Sequence, residues 1–193
     1  MLNSIIQSIK NTAKHVNEHV DYPTCPGIYA FMLKDNSTLK DFGKPNQVLY
    51  VGIAKESLKK RDLGNHFHNK STGRSTLRRS LGAILKDDFK LFAFSRNGKN
   101  EKREILNYIF NSEGEQLLTN WMCNNLIVGY WKDEHSIPYS KLRNFEEDVI
   151  KILNPTLDLD PRTKKYNIFA DKLDGLRMIC RTEAESTFNK NKN

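Results

Sequence analysis

Glu146 sits on the wrong side of a helix. Over residues 141–153, at about 100° per residue, Leu142, Phe145, Val149, Ile150 and Leu153 form one apolar arc. Glu146 falls inside that arc, between Leu153 and Ile150, whereas Glu147 and Asp148 fall outside it. An ionised carboxylate on a buried face is costly unless a cation meets it. Two readings follow. One is a buried ion pair, with Arg61 as the candidate partner; the other is a metal ligand. A lone carboxylate completed by waters suits Mg²⁺ or Mn²⁺ better than zinc.

The second concentration of chemistry lies between residues 55 and 79. Lys55, Lys59, Lys60, Arg61, Lys70, Arg74, Arg78 and Arg79 stand there against only Glu56 and Asp62, which places +6 of the chain's net +8 in one segment. Asn65, Asn69, Ser71, Thr72 and Ser75 are also competent phosphate donors, and Ser75 can cap a helix whose free N–H groups would join the same surface. A solvated basic face would produce the same charge run. A membrane surface fits less well, because the segment lacks an aromatic-rich apolar face. A nucleic-acid backbone groove is the expected partner.

The elements that must position these residues can be read from apolar periodicity. Residues 2–20 predict an amphipathic helix ended by Pro23 and Pro26. Strands are expected over Gly27–Leu33, Val48–Ile53, Phe89–Ser95 and Leu126–Trp131, with an antiparallel pairing of the first two. Helices are expected near 57–63, from Ser75 to about Lys86, over 101–125 as one interrupted or two separate helices, and from Pro138 or Tyr139 to Leu153, where Asn154-Pro155 stops the last of them. The stretch 171–186 reads as helical and 186–193 as a polar tail. The sum is one α+β fold: an N-terminal helix over 1–22, a core over 23–161 with a helical insertion at about 99–125, and an extension over 162–193.

With 193 residues, 38% hydrophobic and 28% charged, the chain has the composition of a soluble folded protein. Cys25, Cys123 and Cys180 make no CxxC pair, which speaks against a disulfide framework or zinc knuckle and for a reducing compartment. No apolar run has the length of a membrane span and no secretory leader is visible, so a cytoplasmic location is expected.

Gly27-Ile28-Tyr29 on one strand and Tyr50-Val51-Gly52 on the next resemble the paired signature of the GIY-YIG nuclease superfamily. Arg61 follows the second tyrosine as the family's arginine does, and Glu146, trailed by Pro155 and Asp158, resembles its late metal-binding glutamate. The resemblance spans about residues 26–160. It implies a small central antiparallel sheet flanked by helices and a metal-dependent endonuclease that hydrolyses DNA phosphodiester bonds. Tyr29 would then be the general base or would position the water, and Tyr50 would line the site. Arg61 would hold the scissile phosphate, and Glu146 would carry Mg²⁺ or Mn²⁺. The family often has a histidine where Asn65 stands; His66, one residue further on, would accept a proton beside Tyr29, and His68 would contact phosphate. The charge run adds Lys55, Lys59, Lys60 and Lys70 as nucleic-acid contacts, and Arg74, Arg78 and Arg79 as contacts to backbone or bases.

Three positions depart from the family pattern. The spacer between the tyrosines is long enough to imply an inserted loop, Ile53 stands where lysine is common so that Lys55 would replace it, and Asp158 stands where asparagine is usual. The segment Thr72–Leu81, Trp121 and the strand at 126–131 resemble those of a set of small bacterial GIY-YIG proteins. No second DNA-reading module is visible, and one site cuts one strand, so double-strand cleavage would require a homodimer or two events. The competing expectation is a catalytically inactive nucleic-acid-binding protein on the same fold.

Overall fold

Seven consecutive apolar residues, Gly27–Leu33, form a strand that is buried along its whole length, the pattern expected when both faces of a sheet are covered. In the computed structural model, which describes residues 1–67 and 72–190, this strand is the second of a four-stranded antiparallel sheet. The chain is α+β and gathers into two units: Met1–Gly64 with Cys123–Ala170, and Asn65–Met122 with Asp171–Asn193.

The first unit holds α1 (Leu2–Thr12), β1 (Lys14–His15), β2 (Gly27–Leu33), β3 (Val48–Ala54), β6 (Leu126–Lys132) and α5 (Tyr139–Leu153). The strand order is β1-β6-β2-β3. Ile28, Ala30 and Met32 of β2 join Val51 and Trp131 on one face, packed against Ile5 and Ile9 of α1 and Leu142, Val149 and Ile150 of α5. Alternation along the strands puts Tyr29, Phe31 and Tyr50 on the other face.

Helix α1 stands almost directly on β6. A Cβ at Gly129 would lie 1.9 Å from the Ile9 carbonyl oxygen, and Thr12 Oγ1 both donates to the Tyr130 carbonyl and accepts from its N–H, each at 2.8 Å. The helix expected to reach residue 20 therefore stops at Thr12. Ala13 turns extended, and Lys14–His15 add to the edge of β6. Backbone pairing with that edge outweighs the helical spacing of Val16 and Val20, and Val20 is 88% exposed.

The long β2–β3 connection is packed: Leu39 and Phe42 are buried, with the Phe42 ring 5.4 Å from Phe169. Helix α5 ends at Asn154 in the left-handed region (φ 45°), as an asparagine before proline allows. The chain then returns to the sheet, where Leu157 N–H donates to the Leu49 carbonyl at 2.8 Å.

The second unit contains α2 (Thr76–Ile84), β4 (Ala93–Phe94), α3 (Lys102–Leu106), β5 (Ile109–Phe110), α4 (Ser112–Asn125), which leads into β6, and α6 (Ala170–Lys190). The strand expected over Phe89–Ser95 shrinks to two residues paired with Ile109–Phe110. Residues 186–190 of the expected tail are instead the end of α6, and 191–193 lie outside the described residues; the helix is anchored by buried Leu173, Cys180 and Ala184 and by Glu183, which meets Lys86 Nζ at 2.7 Å. Among the described residues no helix is long and apolar enough to cross a membrane.

Candidate active site

The two tyrosines share one face because of the register. Tyr29 lies opposite Gly52 and Phe31 opposite Tyr50, which leaves the Tyr29 and Tyr50 rings 6.3 Å apart. The Tyr29 ring lies across Gly52: a Cβ there would come within 2.4 Å of its hydroxyl. The glycine of the second motif is thus the seat of the tyrosine of the first.

Arg61 reaches this pair from a wide helical turn of π type, Lys60–His66, a geometry often found at functional sites. Its Nε donates to the Tyr29 hydroxyl at 3.2 Å, and the same guanidinium lies against the Tyr50 hydroxyl. Burial pushes the Tyr29 phenol well above its ordinary range. Tyr50 adds to the rise and Arg61 offsets part of it. Burial raises the Tyr50 phenol too, with Arg61 opposing and the Glu146 and Asp158 carboxylates reinforcing. Arg61 is held more firmly charged, chiefly by Tyr29. At neutral pH both phenols are therefore protonated. In that state each hydroxyl can donate to a water or phosphate oxygen.

Glu146 is 7% exposed, on the buried side of α5, as the helical wheel requires. The cation that meets it is not Arg61 but Arg162, whose Nη2 stands 3.1 Å from Glu146 Oε2. Arg162 comes from the loop after α5, where Asp160 also grips it. Burial raises the Glu146 carboxyl and Arg162 partly offsets the rise. Asp158, in the place of the usual asparagine, is buried too. It accepts from Thr163 Oγ1 through Oδ2 and from the Asp160 N–H through Oδ1, which ties this loop.

Among the described residues no three His, Cys, Asp or Glu side chains converge in a metal cage. The donor set at Glu146, a single near-buried carboxylate, fits Mg²⁺ or Mn²⁺ with water and phosphate oxygens as the other ligands, and does not fit structural zinc.

Asp62 was not foreseen. It is fully buried beside Arg61; Tyr22 OH donates to its Oδ2 at 2.7 Å, and Oδ1 has no hydrogen-bond partner. No sequence signal marks it, since an Asp next to an Arg is ordinarily a solvated neighbour. Burial raises its carboxyl well above the ordinary value, with the Tyr22 hydrogen bond and Arg61 opposing. The folded pKa thus exceeds the unfolded one. The contribution of Asp62 to stability is full below about pH 4 and declines as pH rises toward the folded value, by up to about 1.4 kcal/mol per pH unit. Asp62→Asn keeps an acceptor for Tyr22 without the charge. Thermal melts from pH 4 to pH 8 should show the variant gaining on the wild type as pH rises. A difference that does not change with pH would refute this account.

The basic segment divides by burial. Lys55, Lys59, Lys60 and Arg74 are exposed, with Lys55 Nζ 5.6 Å from the Tyr139 ring centre. His68 and Lys70 lie outside the described residues. Arg78 and Arg79, expected on the DNA surface, are internal. Arg78 is 0% exposed and pairs with the equally buried Glu115 at 2.6 Å. Its other N–H groups reach Thr72 Oγ1, Thr119 Oγ1 and the carbonyls of His66 and Glu115. Arg79 clasps the carbonyls of Thr72 and Gly73. Both guanidinium groups are engaged inside the second unit, which removes them from any phosphate surface.

His66 is also wholly buried in that unit; its Nδ1 pairs with Ser75 Oγ at 2.7 Å. Ser75 caps α2 as expected, accepting from the Arg78 N–H at 3.1 Å. Tyr29, Tyr50, Arg61 and Glu146 all belong to the first unit.

A family model of the GIY-YIG catalytic domain matches residues 27–179, from the first residue of β2 into α6. Neither the curated proteins nor the solved structures yielded a match. The match covers well over half of the chain, and the two tyrosine motifs stand on paired strands with Arg61 donating to the first tyrosine's hydroxyl: the chain belongs to the GIY-YIG catalytic-domain family.

Proposed function

We propose that the chain is a divalent-metal-dependent endonuclease that hydrolyses DNA phosphodiester bonds at Tyr29, Tyr50, Arg61 and Glu146. The observation that carries this reading is Arg61, whose Nε donates to the Tyr29 hydroxyl at 3.2 Å on a strand paired with that of Tyr50. Its planar fork can grip two oxygens of a scissile phosphate, and it is only partly buried. The Tyr29 and Tyr50 hydroxyls remain donors and orient the attacking water and the phosphate oxygens. A Mg²⁺ or Mn²⁺ ion held by Glu146 would supply charge stabilisation for the departing 3′ oxygen. Among the described residues of the basic segment Lys55, Lys59, Lys60 and Arg74 are exposed, and they serve the DNA backbone. His66 is assigned to the α2 cap through Ser75, not to the reacting group. The substrate is taken as duplex DNA, nicked one strand per site, and the compartment as the cytoplasm.

The test is supercoiled plasmid incubated with wild type and with Glu146→Ala, in Mg²⁺, Mn²⁺ or EDTA. The expected result is nicking by wild type only, and only with metal, while both proteins shift DNA equally on a gel. If neither protein cuts under any metal and both bind, the catalytic reading falls and a nucleic-acid-binding module takes its place.

A further inference from the structure

Arg162 is anchored to one carboxylate and lent to another. Its backbone N–H and its Nε each donate to Asp160 Oδ1 at 2.9 Å, and Nη2 donates to Asp160 Oδ2 at 2.9 Å. Glu146 receives a single contact, from the same Nη2, at 3.1 Å. Among the described residues Nη1 reaches the Arg143 carbonyl at 3.4 Å and the Glu147 carboxylate at 3.7 Å. The guanidinium can therefore release Glu146 without leaving Asp160. The Glu146 side chain is 10% exposed and that of Arg162 is 26% exposed, so the pair sits at a rim where an ion can enter.

We infer that Arg162 is the built-in counter-ion of Glu146 and that a divalent cation binds there by displacing it. This rests on the reading of Glu146 as the metal ligand. A near-buried carboxylate needs a positive partner at every stage, and Arg162 supplies it before metal arrives. Once a doubly charged ion stands on Glu146, the guanidinium and the ion repel each other across a poorly solvated gap. Asp160 then keeps Arg162 at the edge of the site. Metal affinity is consequently set below what the carboxylate alone would give, because part of the binding energy goes into breaking the Arg162 contact.

Mn²⁺ titration calorimetry on the full chain tests this with wild type, Arg162→Met, Arg162→Lys, Arg143→Ala and Glu146→Gln, each checked by circular dichroism melting. Arg162→Met should bind Mn²⁺ about five- to tenfold tighter than wild type, the scale of one rim ion pair acting as competitor. Arg162→Lys keeps the competing charge and should stay near wild type. Arg143→Ala removes a nearby charge that makes no ion pair with Glu146 and should shift affinity less than about twofold. Unchanged or weaker binding by Arg162→Met overturns the exchange, as does a lysine variant that binds as tightly as the methionine one. On the unmodified protein, Mg²⁺ should move the Arg162 Nε–H resonance and fail to do so in Glu146→Gln; a resonance that stays put at saturating Mg²⁺ overturns it as well. Glu146→Gln binding Mn²⁺ as wild type does would instead overturn the metal reading itself, so the two failures are distinct.

Discussion

Arg61→Ala is expected to lower single-turnover nicking of supercoiled plasmid by about 10²–10³-fold, the usual loss when one preorganised donor to a developing charge is removed. The guanidinium does two things at once. It grips the phosphate, and it lies against the hydroxyls of Tyr29 and Tyr50, with Nε on the former at 3.2 Å. Arg61→Lys should recover little of the loss. A lysine has a single nitrogen at its tip, and cannot present an Nε to Tyr29 and a fork to phosphate together. The binding readout should move far less, because Lys55, Lys59 and Lys60 remain exposed to hold the backbone. A gel shift in EDTA within about threefold of wild type, beside a collapsed nicking rate, is the expected pair of results, since one phosphate contact is a small share of a salt-dependent interface. If Arg61→Ala cuts within about threefold of wild type while melting normally, Arg61 is not the phosphate clamp and the site must be sought elsewhere.

What the sequence reveals of this fold depends on how local the cause is. β2, β3 and β6 are built on apolar runs, and α5 has a clear buried arc with an Asn-Pro stop, so their bounds follow from spacing to within one residue. β1 and the pair β4–β5 are two residues long each, and exist only because a partner strand is present. α6 runs through a polar stretch because Leu173, Cys180 and Ala184 return to one buried side.

The site divides the same way. The position of Glu146 on an apolar face is a periodicity fact; the identity of its cation, Arg162, is a long-range fact that no helical wheel contains. The two tyrosines and Arg61 carry a motif. Asp62 carries none, although it is buried beside them. The clearest failure of local reading is the segment Thr72–Arg79. Its hydroxyls and guanidinium groups have the composition of a phosphate cradle, and its structure is a staple. Thr72, Ser75, Arg78 and Arg79 satisfy one another and Glu115. Charge counted along a chain does not say whether water or a carboxylate meets it.

That staple yields the largest expected loss of stability. Arg78 and Glu115 are both 0% exposed and 2.6 Å apart. Glu115 also accepts from Thr72 Oγ1 at 2.7 Å and from the Phe110 N–H at 3.1 Å, while Arg78 spans α2, the His66 carbonyl and Thr119 of α4. Glu115→Ala removes one charge and strands the other: a guanidinium with no route to water, together with an unpaired threonine hydroxyl and backbone N–H. Breaking a buried pair from one side costs about 3–5 kcal/mol. Urea unfolding followed by circular dichroism should show the midpoint falling accordingly. Arg78→Met alone should cost a similar amount, because it strands the Glu115 carboxylate instead. The double variant Arg78→Met, Glu115→Leu strands neither charge, and should lose clearly less than the sum of the two single changes. A Glu115→Ala midpoint within about 1 kcal/mol of wild type would mean that water reaches the guanidinium and that the pair is not the internal tie described here. Arg78 would then return to the list of cations available to DNA, and the segment would again be a surface for phosphate.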